Sequence, residues 1–268
     1  MSGTLSIVAT PIGNLEDITQ RALRVLRTAD VIACEDTRHS RILLDRYEIK
    51  RPLLSYHRHN EAARSGEILE RLRTGENIAL ISDAGTPLLS DPGARLVREA
   101  LEAGIAVVPV PGASAAITAL MASAIEPPVL LLGFLPARAS ERRRALEAWA
   151  ALAASILFYE APHRLLAALD DAAEILGGER PLVVARELTK RFEQVLRGTV
   201  ASAREYFQAQ PPKGEFTLIL GPGGVAAAAP ELSHDMSRDQ LKEWARARNL
   251  SRSEAYRRWQ QLRGKIKG

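Results

Sequence analysis

A single cysteine, Cys34, in 268 residues excludes an internal disulfide framework and leaves no thiolate cluster to bind a metal. Long apolar runs are also missing. No stretch approaches the length needed to cross a bilayer, and Met1 to Val8 lacks the basic region and apolar core of a secretory leader. These absences lead us to expect a cytoplasmic location with no membrane association. The glycine-containing loops are neither G-x-G-x-x-G nor Walker-type segments, so a dinucleotide or nucleoside triphosphate is not indicated. Nothing has the local signature of a Ser-His-Asp or Cys-His nucleophile. Lysine is scarce as well, supplying six of 36 basic residues at a net charge of +4. The arginine excess suits bidentate phosphate contacts, and codon bias in an alanine-rich chain explains it equally well.

What is present is an ordinary globular composition, 46% hydrophobic, in a chain long enough for one large domain or two small ones. The most informative stretch is Ile78 to Gly93, where four apolar residues stop abruptly in Ser82-Asp83-Ala84-Gly85-Thr86-Pro87. This predicts a short buried strand, a loop, and a helix from Pro92 to Ala103 with Asp91 as its N-cap, ended by Gly104. Ile105 to Val110 repeats the pattern, turning at Pro111-Gly112-Ala113-Ser114 into a helix from Ser114 to Ile125. Leu5 to Ala9 is a third such strand, ending in Thr10-Pro11-Ile12-Gly13-Asn14, with Asp17 and Gln20 as a capping-box-like start to the next helix. In an open, mostly parallel sheet these loops line one crevice, the usual ligand site; as isolated motifs they are equally ordinary tight turns.

Asp30 to Cys34 reads as a strand ending in Glu35-Asp36-Thr37-Arg38, where the acids either cap the following helix, the reading spacing favours, or position a proton acceptor. Ser55 to Asn60 precedes a helix from Glu61 to Arg73, with His57 and His59 on one side of a strand and no further ligands to complete a metal site. Glu126-Pro127-Pro128 interrupts helix and strand alike and is the best domain boundary. Beyond it, strands are expected at Val129 to Phe134, Ser155 to Tyr159, Pro181 to Arg186 and Phe216 to Leu220, with a helical segment at Glu141 to Ala153. The clusters Phe158 to Arg164 and Ala185 to Glu193 read as salt-bridged helix starts or as binding residues. Leu220 to Gly224 and four alanines read as a strand end and linker, and Glu231 to Gly268 as two short basic amphipathic helices.

Taken in order, TPIGNLEDIT, ACEDTR, ISDAGTPLLSDPG, VPGASA, FYEAPHR, RELTKRFE and KGEFTLIL resemble the tetrapyrrole methylase superfamily along nearly the whole chain, and within it the ribosomal RNA small subunit methyltransferase I branch. The resemblance implies an α/β fold of two subdomains, 1–126 and 127–224, with S-adenosylmethionine in the cleft, a short helical extension at 231–268, and a homodimer. It implies 2'-O-methylation of a cytidine ribose in the decoding region of 16S rRNA, on free RNA or the 30S subunit. A small-molecule methyltransferase and a non-catalytic RNA-binding factor are the alternatives. PGASA stands where many relatives have PGPSA, which keeps Ser114. Cofactor contacts are expected from Pro11, Ile12, Gly13, Asp83, Ala84, Gly85, Thr86, Pro87, Ala113, Ser114, Ala115, Tyr159, Leu220 and Pro222. The proton acceptor or cation is expected among Glu35, Asp36, Glu160, Glu187 and Lys190, and phosphate contacts from Arg38, Arg164 and Arg186.

Overall fold

Strands β1 (Thr4–Val8), β2 (Val31–Cys34), β3 (Leu53–Ser55), β4 (Ile78–Ile81) and β5 (Ala106–Val110) form an all-parallel sheet in the order β3-β2-β4-β1-β5 in the computed structural model, which describes residues 2–223, 236–247 and 250–264. The central β4 is buried on both faces, and the period-2 alternation divides its side chains. Ile78 and Leu80 pack with helices α3 (Glu61–Arg73) and α4 (Ala94–Glu102); Ala79 and Ile81 pack with α1 (Gln20–Thr28) and α2 (Thr37–Arg46).

A second sheet is built from β6 (Val129–Phe134), β7 (Ser155–Glu160), β8 (Pro181–Arg186), β9 (Gln194–Thr199) and β10 (Phe216–Leu220), in the order β6-β7-β10-β8-β9. Only β6 and β7 are parallel; the other pairings are antiparallel. Phe216, Leu218 and Leu220 point into a core shared with α6 (Ala139–Trp149), α7 (Pro162–Leu176) and α8 (Val200–Ala209). On the opposite face Ile219 meets Ala116 and Ala119 of α5 (Ala115–Ser123), so a helix of the first half closes the second sheet. Pro127-Pro128, the predicted break, is a cis peptide between α5 and β6.

Several sequence expectations need correction. Thr19, not Asp17, caps α1, its side chain accepting the Ala22 amide. The Pro92–Ala103 helix begins two residues later: Gly93 is the N-cap at φ +127°, and a Cβ there would stand 2.7 Å from Leu80 Cδ2. Asp91 is thereby released from capping. Strand β3 ends at Ser55, so His57 and His59 sit in a turn, their rings 5.9 Å apart, rather than along a strand. Asn60 precedes α3 but turns its side chain back to the His57 amide and the Ser55 carbonyl. Phe158 to Arg164 spans the end of β7 and the first turn of α7, whereas Glu187 to Glu193 is the turn between β8 and β9. Strand β9 and helix α8 carry no clear sequence signal.

Two helices, α9 (Arg238–Ala247) and α10 (Arg252–Gly264), follow and bury Leu241, Trp244, Ala245 and Ala255 between them. The linker after Gly223 lies outside the described residues. No helix among them is long and apolar enough to cross a membrane.

Candidate active site

The loops after β1, β4 and β5 meet the second sheet where β7 ends and β10 begins. Between them lies a cavity of about 400 Å³, lined from the first half by Ile12, Asp83, Ala84, Gly85, Thr86, Ser114 and Ala115. The loops are fastened to one another. Thr10 and Gly85 exchange both backbone hydrogen bonds, at 2.9 and 3.0 Å, and Thr86 Oγ1 donates to the Ala113 carbonyl at 3.1 Å. Ala113 thus holds the wall without lining it, and Pro87 is buried behind. Ser114 is the N-cap of α5 but makes no side-chain cap bond, and it lines the cavity with Ala115, while the Ala116 amide faces the Tyr159 hydroxyl.

The far wall is apolar and aromatic: Phe134, Tyr159 and Phe216, with Leu89 at the rim. Phe134 and Tyr159 rings lie 5.5 Å apart, and burial pushes the Tyr159 phenol up, with Asp91 adding to the shift. Asp91 also faces the cavity. Burial raises its carboxyl to about 6, and Glu35 and Asp83 push the same way against the Ser82 hydroxyl and Arg58. Arg58 in turn donates to the Ser90 carbonyl. Such a concentration of carboxylates favours a cationic ligand.

A second cavity of about 180 Å³ adjoins the first and is lined by Pro11, Gly13, His39, Ser40, Leu43 and Lys190, among others. Gly13 matters here through close approach: a Cβ on it would lie 2.4 Å from Lys190 Cγ and 3.0 Å from Thr189 Oγ1. The β8–β9 turn therefore rests directly on the Pro11-Ile12-Gly13 loop. Lys190 Nζ is 3.0 Å from Glu187 Oε1 and 3.1 Å from Glu215 Oε2. Burial alone would raise Glu187, but the Lys190 ammonium and the Glu215 amide outweigh it and hold this carboxyl low. Burial lowers Lys190 and its two carboxylate partners raise it further, so it is a firm cation.

The remaining sequence-predicted residues are dispersed. Asp36 caps α2, accepting the Arg38 amide at 2.8 Å, while its own amide donates to Asp83 Oδ1 at 3.1 Å. Glu35 reaches the site through its charge on Asp91. Glu160 lines the first cavity, but its carboxylate accepts the Ala161 amide at 2.8 Å and pairs with Arg164 at 3.0 Å; burial raises it. Arg164 also donates to the Leu135 carbonyl, and Arg186 Nε to the Lys213 carbonyl at 2.6 Å, so both are occupied with protein groups. Arg38 pairs with Asp36 Oδ2 at 3.2 Å, with its side chain 91% exposed.

Leu220 and Pro222 are not at this site. Strand β10 runs antiparallel to β7, pairing Phe216 with Glu160 and Leu220 with Ile156, which carries its carboxyl end to the opposite edge. The cleft receives the strand's beginning instead: Gly214, Glu215, Phe216 and Thr217. Sequence reasoning missed these, and with them Phe134, Leu89, Ser90 and Asp91. The KGEFTLIL segment drew attention to the strand but not to its direction.

Residues 4–204 match the family model for tetrapyrrole (corrin/porphyrin) methylases. The chain is 48% identical over 256 residues to a ribosomal RNA small subunit methyltransferase I from Synechocystis sp., covering 95% of this chain and 91% of that protein. It is 53% identical over 244 residues to the protein of the same name from Pseudomonas aeruginosa, covering 90% and 85%. Among solved structures, the fold is similar to a uroporphyrin-III C-methyl transferase from Thermus thermophilus complexed with S-adenyl homocysteine, at TM-score 0.58 and 17% identity, covering 82% of this chain and 97% of that one.

Proposed function

This chain belongs to the tetrapyrrole (corrin/porphyrin) methylase family, and from that premise we propose that it transfers a methyl group from S-adenosylmethionine to ribosomal RNA of the small subunit. The observation that carries the reading is the 48% identity across 95% of the chain to the ribosomal RNA small subunit methyltransferase I of Synechocystis sp.. The acceptor in this reading is the 2'-oxygen of a cytidine ribose in the decoding region of 16S rRNA.

The first cavity suits the donor. Its volume lies within the range of about 300–1,000 Å³ usual for small-molecule sites. Asp83 and Asp91 complement positive charge, the α5 N-terminus suits a carboxylate, and Tyr159 and Phe134, their rings tilted by 52°, provide an aromatic wall. When bound, the donor supplies an electrophilic methyl on a sulfonium. The chain's part is to align it with the ribose and exclude water, and positioning of this kind is worth effective molarities of about 10⁵ M or more. Lys190, fixed by Glu187, places a cation beside the acceptor oxygen, and Arg38 reaches a backbone phosphate.

The same reading treats 1–126 and 127–224 as subdomains and 231–268 as a basic extension, and puts the protein in the cytoplasm. It also makes the protein a homodimer. Support comes from exposed apolar side chains on three elements consecutive in the chain: Val108 on β5, Ile117 and Met121 on α5, and Leu130, Leu131 and Leu132 on β6. The decisive experiment is transfer of labelled methyl from S-adenosylmethionine to 30S subunits lacking the modification, followed by mapping. Label on a decoding-region cytidine 2'-oxygen is expected. Cofactor binding without incorporation into 30S or free rRNA, but with incorporation into a small-molecule acceptor, would overturn the reading.

A further inference from the structure

The two cavities share a wall made of Ile12, Asp83, Ala84 and Glu215. Donor carbon and acceptor oxygen have to touch, so a donor in the first cavity and an acceptor in the second would meet at the border these four residues line. Among the described residues it contains two carboxylates. Asp83 has Oδ1 engaged by the Asp36 amide and stands in the negative field of Asp91. Glu215 differs in three ways. Its side chain is 74% exposed, its Oε2 lies 3.1 Å from the Lys190 ammonium, and its backbone is pinned by donating its amide to Glu187 Oε1 at 3.0 Å. A solvent-open carboxylate on a pinned backbone can pass a proton on to water, while the neighbouring cation steadies charge on oxygen.

The second cavity, at roughly 180 Å³, has room for a nucleobase-sized group. Its lining mixes apolar Leu43 and Ile42 with polar His39 and Ser40, as a planar heterocycle requires.

Resting on the ribosomal RNA reading, we propose that Glu215 is the proton acceptor of the reaction, with the target nucleoside extruded into the second cavity. The ribose 2'-oxygen forms its bond to the methyl carbon as the carbon–sulfur bond breaks, leaving that electron pair on sulfur. The hydroxyl proton passes to the Glu215 carboxylate and from there to solvent. Glu187 is then a positioning residue, acting through Lys190 and the Glu215 amide.

The test compares the unsubstituted protein with Glu215→Gln, Asp83→Asn and Ile42→Trp on unmodified 30S subunits, measuring single-turnover rate against pH together with equilibrium binding of S-adenosylmethionine and of 30S. Glu215→Gln should lose about 10²-fold or more in rate and the acid limb of its pH profile while binding both ligands normally. Ile42 is 61% exposed, so Ile42→Trp should fold, leave cofactor affinity unchanged and raise KM for 30S. Retention of rate and acid limb by Glu215→Gln, or loss of the acid limb in Asp83→Asn alone, would overturn the assignment. Absence of incorporation by the unsubstituted protein would overturn the ribosomal reading and the assignment with it.

Discussion

Replacing Asp91 with asparagine should stabilise the ligand-free protein at neutral pH and leave it unchanged in acid. Burial, aided by Glu35 and Asp83, raises this carboxyl from 3.8 to about 6. The folded state therefore keeps its proton to higher pH than the unfolded state does. Stability falls as pH rises from about 4 to about 6, and above that window the full cost of the ionised group is present. At about 1.4 kcal/mol per pH unit the shift corresponds to at most about 3 kcal/mol, which solvent screening at a half-buried site reduces to about 1–2 kcal/mol. For a chain of this length that is about 2–4 °C in Tm. Asparagine has the shape of the protonated acid and no charge, so the difference between variant and parent isolates this one group. Thermal unfolding of both from about pH 4 to pH 7.5 should show a gap near zero in acid that opens through the window and then stays level. A gap that does not change with pH, or a parent more stable than the variant at neutral pH, would refute the reasoning.

The same group should govern donor binding. If the cationic donor binds the ionised form, affinity for S-adenosylmethionine by titration calorimetry should strengthen about tenfold between about pH 5 and pH 7 in the parent and stay flat in Asp91→Asn. Gly13→Ala should cost about 1–3 kcal/mol in chemical denaturation, because its new methyl meets Lys190 Cγ at 2.4 Å, and it should lower kcat by displacing the lysine from Glu215. An unaltered kcat would show that the turn relaxes freely. Arg38→Ala should weaken 30S binding and reduce the log–log salt slope by about 1; an unchanged slope removes this side chain from the RNA contacts.

The parallel half of the fold was legible because its strands are short apolar runs, each closed by turn residues. Ile78 to Ile81 and its Asp83-Ala84-Gly85-Thr86 loop stand where the pattern put them. Local pattern could not reveal strand direction in the second sheet, which is why Leu220 and Pro222 were assigned to a cleft occupied by Glu215 and Phe216. Edge strand β9 is half exposed and polar, so its alternation is too weak to announce it. Asp91 followed by proline has the chemistry of a helix cap. The left-handed backbone at Leu88, Ser90 and Gly93, the last of them pressed close against Leu80, lets it face the cavity instead.

Helix α5 ties the first cavity to the packing of the fold. Its first turn lines the cavity at Ala115, while Ala116 and Ala119 are part of the apolar layer over Leu157, Val183 and Ile219. Floor and scaffold are the same object. A substitution that swells Ala116 or Ala119 would lift the helix from the second sheet and shift Ser114 and Ala115 with it, so a packing defect in this layer reads out as a change in the cavity wall.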